Sequence, residues 1–258
     1  MVVLLFVVLA APLACTRREA PAPPRPLRVA AASDLAVAFA EIGKDFEAET
    51  GRRVEFSFGS TGLLAKQIAR GAPFDVFAAA NESSVDEVVK SGACSAETRV
   101  AYAEGRLALY CGGRFPVHGL RGLVDPAFRK IGLANPEHAP YGRAAREALV
   151  KEGIYEAVKG KLVFGENVQQ ALQFAQTGNA DCAVVALSLV AGRAEGRFVP
   201  VAPELHSPLI QTMALCGGGA GGTDREISRR FLAFVSGPRG HAALWRRGFV
   251  LPADRGEK

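Results

Sequence analysis

Four short stretches of this chain combine small residues with hydroxyls where an amphipathic helix is due to begin. They are Ala32-Ser33-Asp34, Gly59-Ser60-Thr61-Gly62, Ala139-Pro140-Tyr141-Gly142 and Glu166-Asn167-Val168, each following a strand or loop. The first turn of a helix leaves backbone N–H groups unpaired and carries about half a positive charge, so it holds an anion without Lys or Arg. Ser and Thr add hydroxyl donors, and Gly lets the backbone approach closely. One such start by itself is an N-cap and nothing more. Four of them, converging at the carboxyl ends of strands in one α/β chain, form a cradle for an oxyanion.

Other chemistry finds less support. Gly59-Ser60-Thr61-Gly62 approaches a nucleophile turn, but G-x-S-x-G centred on Ser60 needs Gly where the chain has Phe58. No S-x-x-K begins at these serines. The four histidines, His118, His138, His206 and His241, lack metal-ligand spacing and read as surface or loop residues. Gly217-Gly-Gly-Ala-Gly-Gly lacks the Lys-Ser/Thr of a phosphate loop and reads as a flexible turn. A secreted hydrolase using Ser60 is the competing class; a sensor passing anion occupancy to a membrane partner would need a signalling domain for which no sequence is left over.

The elements that must position the four starts alternate. Apolar runs at 28–32, 54–58, 75–79, 107–110, 130–133, 162–164 and 183–186 read as strands. Helical patterns fall at 35–46, 63–68, 84–90, 144–151, 168–176 and 226–235. This is an α/β pattern with parallel sheets, and it holds more strands than one small sheet needs, so two lobes are expected. The 258 residues, 49% hydrophobic and 22% charged, suffice for a substantial core and exclude a disordered chain or a collagen-like fibre. No repeat of solenoid length is visible. The net charge of +5 is local: residues 225–258 hold eight basic and three acidic groups, the whole excess. Without a nucleic-acid motif beside it, this basic segment reads as a solvated helix face, and no nucleic-acid partner is expected.

The apolar run over residues 1–14 is too short to span a bilayer and has the size of a signal-peptide core. It ends at Cys15, and a Pro-rich stretch over 15–26 follows. This resembles a bacterial lipoprotein signal, with Cys15 as the lipidated residue and the stretch as a tether, although Pro12 stands where such signals usually carry Leu. A plain cleaved signal is the alternative; both imply export. Exported proteins can hold disulfides, and Cys94, Cys111, Cys182 and Cys216 allow three pairings. Cys111 and Cys216 each end an apolar run before Gly-Gly and are candidate neighbours; buried free thiols are the other reading.

Several motifs together resemble the periplasmic molybdate-binding proteins of ABC importers, within the type II solute-binding proteins. They are Ala30-Ala-Ala-Ser-Asp-Leu, Phe58-Gly-Ser-Thr-Gly-Leu-Leu-Ala-Lys-Gln-Ile, Gly71-Ala-Pro-Phe-Asp-Val-Phe, Asn135-Pro-Glu-His-Ala-Pro-Tyr-Gly, Gly165-Glu-Asn-Val-Gln-Gln-Ala-Leu and Gly248-Phe-Val. The resemblance implies a two-lobed periplasmic-binding-protein fold, each lobe a mainly parallel sheet flanked by helices, with the ligand cleft between them. It places the first lobe at 27–109 with a return at 213–258, and the second at 110–212. It implies a monomer that is not an enzyme, needs no cofactor, and binds molybdate, and tungstate with it, for a membrane permease. Sulfate is the alternative ligand. Carried over by residue, the donors fall on Ser33, Thr61 and the backbone N–H groups of Tyr141 and Val168, flanked by Ser60 and Asp34. The family often has a Tyr hydroxyl at the position of Ala186; Ser188, or the Tyr141 hydroxyl turned inward, is expected to replace it. Asp34, a carboxylate beside a dianion, is expected to point away and cap the helix that follows.

Overall fold

The computed structural model describes residues 24–112, 118–192, 197–217 and 223–252. The expected signal segment, Cys15, most of the tether, the Gly-rich stretch 218–222 and the last six residues lie outside the described residues.

In chain order the elements are β1 (Leu27–Ala32), α1 (Ala36–Thr50) after a 3-10 turn Ser33–Leu35, β2 (Val54–Gly59), α2 (Thr61–Ala69), β3 (Val76–Ala79), α3 (Glu82–Lys90) and β4 (Val100–Gly105). Then come β5 (Leu107–Cys111), β6 (Ile131–Ala134), α4 (Pro140–Lys151), α5 (Tyr155–Val158), β7 (Leu162–Gly165), α6 (Val168–Gln176), β8 (Cys182–Ala186), α7 (Leu187–Val190) and β9 (Arg197–Pro200). The chain closes with β10 (Leu209–Leu215), α8 (Thr223–Val235) and α9 (Pro238–Arg246).

The strands form two five-stranded sheets, ordered β2-β1-β3-β10-β4 and β7-β6-β8-β5-β9. In each, three neighbouring strands are parallel and the fourth runs against both its neighbours. These two reversed strands belong with the crossings of the chain between the lobes. One crossing lies at Arg106, the single residue between β4 and β5, and the other between β9 and β10. All of β5 thus belongs to the second sheet and all of β10 to the first, so both crossings come a few residues before the boundaries at 109 and 212. Arg106 alone separates β4 from β5, and Pro208 stands immediately before β10.

Strands buried on both faces must be apolar: β3 and β8 are so throughout, and β1 is so from Val29 to Ala32, beyond the exposed Arg28. Helix α1 turns Ala38, Phe39, Ile42 and Phe46 inward, and Gly51 closes it in the left-handed region at φ 66°. Phe39 and Phe46 meet Phe231 of α8 edge-on, with centroids 6.1 and 5.2 Å apart. The returning C-terminal helices therefore seal the first lobe. The chain's entry is pinned as well: buried Asp75 accepts two bonds from Arg25, at 2.8 and 2.9 Å, and one from Arg28 N–H at 2.9 Å.

The cysteines pair as Cys94–Cys216 and Cys111–Cys182. The expected proximity of Cys111 and Cys216 is overturned, because their strands belong to different sheets. Each disulfide instead joins residues facing each other across an antiparallel pair. They close loops of 122 and 71 residues, for which chain entropy gives about 4–5 kcal/mol each as an upper figure. Replacing Cys94 and Cys216 together by Ser is expected to cost about 2–5 kcal/mol, read as a Tm lowered by several degrees. The same Tm for variant and parent under oxidising conditions would contradict this.

Candidate functional site

The four helix starts meet. Strands β1 and β2 deliver Ser33 and Ser60-Thr61 from the first lobe; β6 and β7 deliver Ala139-Pro140-Tyr141 and Asn167-Val168 from the second. With Ala32, Asp34, Gly59 and Ala80, these residues line one small cavity between the sheets. No Lys, Arg or His lines it. Among the described residues no group of three or more His, Cys, Asp or Glu is placed to hold a metal ion. The cavity therefore offers an anion hydroxyls and helix starts, without a counter-charge.

Each donor is prepared by a neighbour. The Thr61 hydroxyl, at the first residue of α2, accepts from Ala80 N–H at 3.2 Å, which leaves its own proton free for another acceptor. The Ser33 hydroxyl has no partner among the described residues. In α6, the Asn167 side chain accepts from Gln169 and Gln170 N–H at 3.1 and 3.0 Å. It thereby satisfies the second and third helical residues and leaves Val168 N–H available. Tyr141 stands in the first turn of α4, where N–H groups have no intrahelical acceptor. Ala80 and Asn167 escaped the donor list read from sequence. Asn167 carried a signal, as an Asn immediately before an amphipathic run; Ala80 carried none, because its contribution is a backbone N–H.

Two expected site residues, Ser60 and Ser188, bond across the lobes. Ser60 donates to the His138 carbonyl at 2.9 Å and stands 2.8 Å from His138 Nδ1. Gly62 N–H bonds the same carbonyl at 2.9 Å, and a Cβ on Gly62 would lie 2.6 Å from it. His138, expected as a surface or loop residue, is thus the point where the second lobe closes on α2 of the first. Ser188 does not line the cavity: its hydroxyl donates to the Asp34 carbonyl at 2.8 Å, a second interlobe bond. Ala186 lies outside the lining too, so no side chain takes the place of the family Tyr there. The Tyr141 hydroxyl turns away toward Gly105, where a Cβ would lie 2.1 Å from it, and toward Gln211.

Asp34 is no helix cap. It lies inside the turn whose N-cap position is Ala32, and its side chain makes no capping bond. Its carboxyl is buried, 1% exposed, and neither oxygen has a hydrogen-bond partner. Burial pushes its pKa up to about 7, since a charged form without water is disfavoured. Tyr141 and Gln211 come near and pull it down, but neither reaches hydrogen-bonding geometry, so burial prevails. The Tyr102 and Tyr141 hydroxyls are pushed well above the usual range by their own burial and then by Asp34.

Comparison with known proteins accords with this architecture. A family model described as a bacterial extracellular solute-binding protein matches residues 27–250. The molybdate-binding protein ModA of Azotobacter vinelandii is 34% identical over 243 residues, 93% of each chain. That of Rhodobacter capsulatus is 34% identical over 210 residues, 81% of this chain and 82% of its own. The solved periplasmic molybdate-binding protein of Azotobacter vinelandii superposes with a TM-score of 0.81 at 27% identity, covering 88% of this chain and 99% of that one. The sulfate-binding protein SubI of Mycobacterium tuberculosis, at 14% identity and a TM-score of 0.73 over 88% of both chains, shares the fold. The chain belongs to the bacterial extracellular solute-binding protein family, in the group that contains the ModA proteins.

Proposed function

We propose that this protein captures molybdate, and tungstate with it, between its lobes and delivers it to the membrane permease of an ABC importer. One observation carries the reading: four helix starts from two sheets enclose a single cavity that holds hydroxyls and no cationic side chain. The 34% identity to two molybdate-binding proteins selects the anion within the oxyanion class. The proposed donors are the Ser33 and Thr61 hydroxyls and the N–H groups of Tyr141 and Val168. Ser60 and Ser188 act behind them, through His138 and the Asp34 carbonyl, to hold the lobes together. Fully deprotonated molybdate, tungstate and sulfate need only donors, whereas hydrogen phosphate also needs an acceptor. Cavity size separates molybdate from sulfate.

The protein works as a monomer, exported and held by lipid on Cys15 at the outer face of the cytoplasmic membrane. No helix among the described residues is long and apolar enough to cross a membrane. A hydrolase using Ser60 finds a histidine 2.8 Å from its hydroxyl, but that hydroxyl also donates to the His138 carbonyl. Among the described residues no carboxylate bonds the ring to orient it, so the pair reads as a closure contact rather than a nucleophile and its base.

Calorimetry of the mature protein against molybdate, tungstate, sulfate and phosphate tests the assignment. Molybdate and tungstate are expected to bind at least about a hundredfold tighter than sulfate, about 2.7 kcal/mol. Sulfate binding as tight as molybdate would remove the assignment. Thr61→Ala is expected to weaken molybdate binding roughly 10- to 150-fold, the worth of one hydrogen bond to a charged group at about 1.5–3 kcal/mol. It also leaves Ala80 N–H unpaired, so the ligand-free protein should lose about 1–3 kcal/mol. Thr61→Ser restores both bonds and should recover most of each loss; unchanged affinity in Thr61→Ala would take Thr61 out of the site. Mass spectrometry of membrane-extracted protein is expected to find lipid on Cys15, and a chain starting unmodified beyond it would rule out the anchor.

A further inference from the structure

Six polar atoms are buried together beside the cavity without a hydrogen-bond partner: both Asp34 carboxyl oxygens, the Tyr102 and Tyr141 hydroxyls, and the amide oxygen and nitrogen of Gln211. Asp34, Tyr102 and Gln211 come from the first lobe and Tyr141 from the second. Asp34 and Tyr141 also line the anion cavity itself. We propose, resting on the oxyanion reading above, that Asp34 takes up a proton as the lobes close, so that the protein captures the dianion and a proton together.

The groups facing the carboxyl leave a proton as its neutraliser. Tyr102 from β4, Tyr141 from α4 and Gln211 from β10 are uncharged when they face it. The elements packed on the Asp34 turn are α1, β2, α6 and α7. Neither α6 nor α7 carries a titratable residue. The charged residues of α1 (Glu41, Lys44, Asp45, Glu47, Glu49) and Glu55 of β2 are exposed or half-buried, and none of them shifts Asp34. No cation compensates an ionised Asp34. An incoming dianion would add like-charge repulsion to the burial that already holds this carboxyl near pH 7. A protonated carboxyl carries one donor and keeps an acceptor, which suits a cluster of two hydroxyls and an amide; an ionised one has acceptors alone.

The direction of the linkage follows. An ordinary carboxyl, at 3.8, is ionised at neutral pH, whereas in the closed lobes its pKa is about 7 before any anion enters. Closure is therefore easiest at low pH and becomes harder as pH rises from 3.8 to about 7. A bound dianion pushes the pKa higher and extends the dependence into the alkaline range. Molybdate itself stays fully deprotonated there, so a pH effect on binding belongs to the protein.

Molybdate calorimetry at about pH 8, in buffers of different ionisation enthalpy, counts the protons taken up. Wild-type protein is expected to take up about one per anion, with Kd rising by up to about tenfold per pH unit above pH 7. Asp34→Asn mimics the neutral carboxyl; whatever its affinity at about pH 7, it should lose the uptake and flatten the pH dependence. Tight wild-type binding with no proton uptake and a Kd independent of pH from about 7 to about 9 would overturn this inference alone. So would Asp34→Asn that keeps the wild-type uptake. Should that variant fail to fold, the wild-type proton count and pH profile decide. Wild-type protein that binds none of the four oxyanions would overturn the oxyanion reading and this inference with it.

Discussion

A cavity lined by helix starts and hydroxyls, and among the described residues by no cationic side chain, sets the demands on the rest of the molecule. Only fixed N–H groups and hydroxyls can take over the work of water there, and they lose their worth if they reorient. Rigid placement explains why the donors stand at the ends of strands held in parallel pairs. β1 and β2 on one side, and β6 and β7 on the other, are paired parallel along their length and end beside the cavity. It also explains the neighbours that carry no donor of their own. Ala80 fixes the Thr61 hydroxyl, and Asn167 absorbs two helix-start N–H groups so that Val168 keeps its own.

The cradle is divided between two lobes, each of which supplies two of the helix starts. The chain crosses twice between the sheets, and the strands at the crossings, β4 and β10, pair with each other. Beyond the crossings, the lobes meet where His138 receives Ser60 and Gly62, and beside Arg106, where Ser188 reaches the Asp34 carbonyl. Two of the hydroxyls that the family resemblance placed near the anion, those of Ser60 and Ser188, bond across the lobes. A serine in the right motif is adjacent to the ligand in the chain, but its side-chain direction depends on which neighbouring acceptor the other lobe brings.

The α/β alternation, the two lobes and the four starts were legible because each rests on local signals: apolar runs, 3.6-residue periodicity and small residues before helices. β10 was hidden in part by Gln211 and Thr212, two fully buried polar residues that interrupt its apolar run. β9 is a four-residue edge strand with Arg and Pro at its ends, and α9 begins on Pro-Arg-Gly, none of which reads as a regular element. The cysteine pairing depended on which strands run antiparallel and in what register, and no local pattern carries that. Within the site, the positions of Ser33, Thr61, Tyr141 and Val168 around one cavity could be read in advance. The direction of the Tyr141 hydroxyl and the loneliness of Asp34 could not, since both are set by Gly105 and Gln211, distant in sequence.

Those lonely groups fit the task of a carrier better than a perfectly satisfied interior would. An unpaired buried polar group costs about 1–3 kcal/mol. Closing the lobes sets Tyr141 of one lobe against Gly105 and Gln211 of the other, so part of that cost arises only in the closed state. On the proposed reading, this cost would bias an empty protein toward opening, and hydrogen bonds to the anion would offset it. The free energy of capture is the difference between the two, smaller than the donor set alone would supply. A carrier that must surrender its cargo to a second protein needs that restraint. Apolar groups in place of Asp34 and Gln211 would remove the cost of closure, but they would also favour a closed and empty cradle, which cannot admit an anion.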